Sequence, residues 1–222
     1  MPKPKIILCL HGEGSHPAYY DENLLMPKAK MIWIQLPGFS TDGTGSREEV
    51  HKVLDKKFKE YPQAILLGHS YGAYLALSYA RARPEKRLKI ILVCPAGLFH
   101  NIGHPSLCWA LLFKLSIPRL FSPLARGTGN KQIARHINVT MCSCSVSWDE
   151  PALDWIRYCE KVWIIFGEND VICPCEEAEA IQDYHFPDKC AGVYIVPYAG
   201  HNALREQPDR IKNYLLELDL DS

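Results

Sequence analysis

The chain has 222 residues, of which 47% are apolar and 23% charged, and Lys+Arg and Asp+Glu each number 25. That length and composition fit one globular domain with a full core and exclude a disordered or fibrous chain. The balanced charge supplies no basic face, so neither nucleic acid nor an acidic membrane surface is expected as a partner.

The first element is the apolar run Lys5 to Leu10, which stops at His11-Gly12. Its start is basic, but the run is short and no small-residue cleavage site follows, so it does not read as a secretory signal. Further runs are Met31 to Leu36, stopped by Pro37-Gly38, and Ala64 to Leu67, stopped by Gly68. Then come Leu88 to Val93 before Pro95, Lys161 to Phe166 before Gly167, and Gly192 to Val196 before Pro197. Each has strand length, is rich in β-branched or aromatic residues and is nearly continuously apolar, the pattern of strands buried on both faces.

Helical segments lie between these runs. Ser46-Arg-Glu-Glu49 fits a capping box, after which Val50, Val53, Leu54 and Phe58 fall on one helix face. Tyr71 to Arg83 follows the third strand and ends at Pro84, with Gly72, Ala76 and Ala80 forming a row that lets the helix lie close to a sheet. Glu176 to Tyr184 opens with acids, as a helix N-terminus prefers, and Asp209 to Leu218 places Ile211, Tyr214, Leu215 and Leu218 on one side. The alternation predicts an α/β fold: a mainly parallel sheet of about six strands with helices on both faces. Residues 98–160 break the rhythm, with no clear strand and much Pro, Trp, Leu and basic character, and read as a helical insertion within a single domain of residues 1–222. The longest apolar patch, Leu107 to Ile117, is interrupted by Lys114, so no spanning helix or stable membrane insertion is expected.

The chemistry concentrates at strand ends. Gly68-His-Ser-Tyr-Gly72 matches G-x-S-x-G, a short string whose weight comes from its place directly after one strand and at the opening of a helix. Such an elbow holds Ser70 in a strained turn in front of a helix N-terminus, which favours developing negative charge. A serine hydroxyl needs a base, and His201 stands between the last predicted strand and the last helix. The orienting acid should follow the preceding strand, where Glu168 and Asp170 both stand; Asp170 is chosen and Glu168 held in reserve. The order Ser70, Asp170, His201 is that of the strand–turn–helix serine hydrolases. His11-Gly12-Glu13-Gly14 ends the first strand, and the backbone N–H of Glu13, with that of Tyr71, would hold an oxyanion, the Glu13 carboxylate pointing away. A plain glycine turn at 11–14 is the alternative.

Nine cysteines in a chain without a recognisable signal read as reduced thiols in a cytoplasmic protein. The close pairs Cys142-x-Cys144 and Cys173-x-Cys175 have spacers too short for the usual zinc pattern, so neither metal nor cofactor is expected.

The segments HGEG at 11–14, PGFS at 37–40, GHSYG at 68–72, GEND at 167–170 and AGH at 199–201 together resemble the α/β-hydrolase superfamily, in order and across nearly the whole chain. The resemblance implies a parallel sheet with its active site at the strand carboxyl ends, and 98–160 as a cap. The chain departs from the family in one respect: two further strands usually precede the HG strand. Leu107, Trp109, Leu111, Leu112, Phe113, Leu115 and Ile117 suggest an apolar lining, with Trp148 and Trp155 as further candidates. The expected substrate is therefore a small-molecule carboxylic ester or thioester with an apolar portion. Acyl transfer, C–C bond hydrolysis or lyase chemistry on the same residues, and a hydrolase-like ligand receptor, are the alternatives.

Overall fold

The computed structural model describes residues 4–12, 15, 17–20, 29–38, 45–98, 152–176, 178, 181 and 188–218. Its strands are β1 (Lys5–Leu10), β2 (Ala29–Ile34), β3 (Ile65–His69), β4 (Lys89–Val93), β5 (Lys161–Gly167) and β6 (Cys190–Val196). They form one six-stranded sheet in the order β2-β1-β3-β4-β5-β6. All five pairings are parallel, so among the described residues no antiparallel edge accompanies them.

Alternation along each strand divides the core in two. Leu8, Leu10, Leu66, Ile90, Leu92, Ile164 and Phe166 pack with α1 (Arg47–Glu60) and α2 (Tyr71–Ala82). Ile7, Cys9, Ile65, Leu67, Ile91, Trp163 and Ile165 face the opposite layer, built from the short α3 (Ala203–Glu206) and α4 (Pro208–Glu217). Both faces are covered, and that is why the strands read as continuous apolar runs.

Helix α1 begins as its sequence predicts, with the Ser46 hydroxyl accepting from the Glu49 N–H at 3.3 Å. The reciprocal bond differs: the Glu49 carboxylate accepts from the N–H of Gly45 at 2.9 Å, one residue ahead of the cap. Val50, Leu54 and Phe58 are buried and Val53 packs partly buried against them, the face read from the spacing. Strand β2 starts two residues earlier than expected and ends at Ile34. Its last pair is Ile34 with Leu10, the final residue of β1, and beyond it the Leu36 N–H donates to His11 Nε2 at 3.3 Å.

The final part of the expected insertion joins the core beside α2. Ala152–Tyr158 forms a 3-10 helix whose Ala152, Leu153, Trp155 and Ile156 are buried. Trp155 packs on α2, its ring 5.2 Å from that of Tyr74 and beneath the Arg81 guanidinium. Residues 99–151, with the apolar stretch 107–117, Trp148 and the pair Cys142 and Cys144, lie outside the described residues. Of the helix expected over 176–184, only Glu176, Ala178 and Ile181 are described, the last two buried on the α1/α2 side.

Candidate active site

Register brings the carboxyl ends of β1, β3 and β4 together. Leu10 stands opposite Gly68, and His69 opposite Val93. Ser70 is the next residue, at φ 53° and ψ −119°, a conformation that L-residues avoid and that costs about 1–3 kcal/mol. The surroundings hold it there: the Ser70 N–H donates to the Val93 carbonyl at 3.0 Å, and the Ser70 carbonyl accepts from Ala73 and Ala96. The flanking glycines are required by contact. A Cβ on Gly68 would lie 2.4 Å from the Gly72 carbonyl oxygen, and one on Gly72 would lie 2.4 Å from that of Leu10.

The three side chains singled out from the sequence meet here. Ser70 Oγ is 2.8 Å from His201 Nε2, and His201 Nδ1 is 2.8 Å from Asp170 Oδ2. The carboxylate accepts, so Nδ1 carries a proton and the neutral ring presents its Nε2 lone pair to the serine hydroxyl. The second carboxylate oxygen accepts from the N–H groups of Ile172 at 2.8 Å and Cys173 at 2.9 Å. Burial raises the Asp170 carboxyl; the bond and charge of His201, with those two N–H donors, outweigh it and hold the group below the usual carboxylate range. The Asp170 side chain is fully buried while that of His201 keeps 16% exposure, so the imidazole faces the open side of the site.

Glu168, the reserve acid, points elsewhere: its carboxylate accepts from the Tyr198 N–H at 2.7 Å. Tyr71 opens α2 immediately behind Ser70, which leaves its N–H at a helix start. Glu13 lies outside the described residues, but its neighbour Gly12 is placed: a Cβ there would stand 3.1 Å from Ser70 Cβ. Gly12, two residues past β1, therefore stands directly beside the serine.

Two residues in this region carry no sequence signal. Cys94, next after β4, is buried with φ 44°; its thiol lies with Asp170 and His201 in a group whose potential ligand atoms all fall within 4.8 Å of one another. Burial, and then the nearby Asp170 charge, push that thiol up, so it remains protonated. His69, inside the elbow string, is fully engaged in hydrogen bonds: Nε2 donates to the His201 carbonyl at 2.8 Å, and Nδ1 accepts from the Tyr20 hydroxyl at 3.0 Å.

A hydroxyl–imidazole–carboxylate chain at a helix start can activate an alcohol. Comparison with known proteins agrees with the fold. A model described as "Alpha/beta hydrolase family" matches residues 7–213. The uncharacterized hydrolase YugF of Bacillus subtilis is 22% identical over 255 residues, covering 97% of this chain and 90% of its own. A 1-acylglycerol-3-phosphate O-acyltransferase of Arabidopsis thaliana is 31% identical over 104 residues, 41% of this chain and 25% of the relative, so the chain spans only about a quarter of that protein. Among solved structures, a thermophilic esterase from Thermogutta terrifontis superposes with a TM-score of 0.69 at 19% identity, covering 98% of this chain and 90% of that one.

Proposed function

The chain belongs to the alpha/beta hydrolase family, and from that membership we propose that it is a serine hydrolase acting on a carboxylic ester or thioester through an acyl-enzyme. One observation carries the reading: the unbroken chain from Ser70 Oγ through His201 to Asp170, each link 2.8 Å.

Ser70 attacks the acyl carbon while His201 Nε2 takes the hydroxyl proton. Asp170 keeps Nδ1–H in place and stabilises the imidazolium that forms. Negative charge on the carbonyl oxygen meets the Tyr71 N–H at the start of α2, with the amide of Glu13 as the second donor in this reading. His201 returns its proton to the departing alcohol or thiol. Water, deprotonated by the same nitrogen, then releases the acid and restores Ser70. No step requires a metal or cofactor. The insertion over 98–160, read as a cap, would supply the apolar wall for the acyl or alcohol group. Among the described residues no helix is long and apolar enough to cross a membrane, and a cytoplasmic setting with reduced thiols is part of the same proposal.

The test is labelling by a fluorophosphonate probe together with hydrolysis of p-nitrophenyl esters of graded acyl length. Labelling and turnover in the wild type, both lost in Ser70→Ala, are expected; equal labelling of the two proteins would overturn the reading. The match to an acyltransferase favours acyl transfer as a second reading. Acyl products formed from added alcohol acceptors faster than free acid would select it.

A further inference from the structure

We propose that His69 is a positioning residue for His201: its imidazole is a neutral strut that fixes the His201 backbone carbonyl, and through it the ring standing between Ser70 and Asp170. The inference rests on the serine-hydrolase reading and adds to it a residue that touches none of the reacting atoms.

The turn that carries His201 lies beyond the sheet. Its other hydrogen bonds include those from Asn169 to the Ala199 carbonyl at 2.7 Å, from the Gly200 N–H to the Glu206 carboxylate, from the Tyr198 N–H to Glu168 at 2.7 Å and from the Cys94 thiol to the Gly200 carbonyl at 3.8 Å. None of these reaches residue 201 itself. The bond to the His201 carbonyl comes from a side chain 132 residues away in sequence, on the strand that also presents the serine. Nucleophile and base are thereby referenced to the same short segment, His69-Ser70. A carbonyl can only accept, so the His69 proton is on Nε2, and Nδ1 must be the acceptor for Tyr20.

The strut is itself braced. Tyr20 is buried, its ring stacked on Trp33 at a centroid separation of 4.2 Å, which anchors the hydroxyl to β2. A Cβ on Gly12 would lie 2.9 Å from His69 Nδ1, so Gly12, just past β1, closes against the same ring. His69 thus joins the nucleophile strand, Gly12 and the His201 turn. A leucine would fill a similar volume in an apolar core, but it could not address a carbonyl. The charge state suits a strut, because burial and then the neighbouring His201 charge push His69 down to about 3. It stays neutral while His201 gains and loses its proton, and does not oppose imidazolium formation.

The experiment compares wild type with His69→Leu, His69→Gln and His69→Asn. Gln places an amide N–H where His Nε2 lies; Asn is too short to reach the His201 carbonyl. His69→Leu is expected to lower kcat by about 30- to 100-fold with KM within threefold, the signature of a misplaced reacting group, and His69→Gln to recover most of the loss. The downfield proton resonance of the His201–Asp170 bond should persist in His69→Gln and broaden away in His69→Leu. A folded His69→Leu with kcat within twofold of wild type would overturn the proposal. Should the leucine variant not fold, Gln against Asn decides: a rate at least about tenfold higher for Gln supports the strut, and equal rates refute it. Loss of ester turnover in Ser70→Ala tests the underlying reading separately. If wild type proves inactive on esters, the same resonance compared across the variants still reads the strut: persistence in His69→Leu refutes it.

Discussion

A Cβ placed on Gly72 would stand 2.4 Å from the carbonyl oxygen of Leu10. Helix α2 therefore rests on the end of β1 with no room for a side chain between them. The atom in the way is backbone, which cannot swing aside. Gly72→Ala is expected to destabilise the fold by about 3 kcal/mol or more, and Gly68→Ala, which would meet the Gly72 carbonyl and Ala73, by a similar amount. Urea denaturation midpoints measure both; a loss under about 1 kcal/mol would show that the elbow can open.

The strained backbone at Ser70 separates stability from activity. With φ at 53°, Ser70 occupies space that glycine enters freely. Ser70→Ala and Ser70→Gly lose the same hydroxyl and the same bond to His201, and both should abolish turnover. Ser70→Gly should nonetheless be more stable than Ser70→Ala by about 1 kcal/mol, because only glycine relaxes the strain, less its greater freedom when unfolded. Thermal midpoints compared at one pH give the answer, and identical midpoints would contradict the strain at this residue.

The two acids after β5 make opposite predictions. Asp170→Asn leaves the geometry nearly intact but removes the charge opposite Nδ1, and kcat should fall about 10³- to 10⁴-fold. Glu168→Gln should change kcat less than about threefold, since its carboxylate serves the Tyr198 N–H and not the imidazole. If the two losses were reversed in steady-state assays, the assignment of the acid would be wrong.

Stability should decline as the pH falls below the ordinary histidine range. His69 is held down to about 3 in the folded protein, while the unfolded chain binds that proton near 6.5. Between those values the unfolded state holds more protons, so its contribution is complete above about pH 6.5 and is lost at up to about 1.4 kcal/mol per pH unit on acidification. His51, lowered by burial and then by Arg83, acts with the same sign. The carboxyls of Asp170 and Asp55, held below their usual range, add their losses only as the pH approaches about 4. Urea unfolding at pH 7.0, 6.0 and 5.0 should show the slope, and His69→Gln should make it shallower. An unchanged slope in that variant would mean that His69 takes up a proton in the folded state.

The fold is legible in the sequence because its signals are local. Double-sided burial makes β1, β3, β4 and β5 continuous apolar runs, and Pro or Gly marks the end of most of them. The edge strands β2 and β6 begin earlier than their apolar runs, because Ala29, Lys30 and Cys190 sit at partly exposed sheet margins and carry little apolar signal. Ser70, Asp170 and His201 can be named from sequence because each follows a strand and the direction of the sheet gathers strand ends. His69, Tyr20 and Cys94 cannot, since their parts depend on which backbone atoms and side chains approach from 49 to 132 residues away. No periodicity encodes that. Nor does the broken rhythm of 98–160 say that Trp155 packs against Tyr74 of α2.

The sheet order has a consequence for biosynthesis. Strands β3, β4, β5 and β6 are laid down one beside the next in the order in which a ribosome would deliver them. Ser70 follows β3, whereas Asp170 and His201, its proposed acid and base, follow β5 and β6. A chain ending before residue 160 would thus bear Ser70 without Asp170 or His201, so on the proposed reading its hydroxyl has no base until residue 201 has been made.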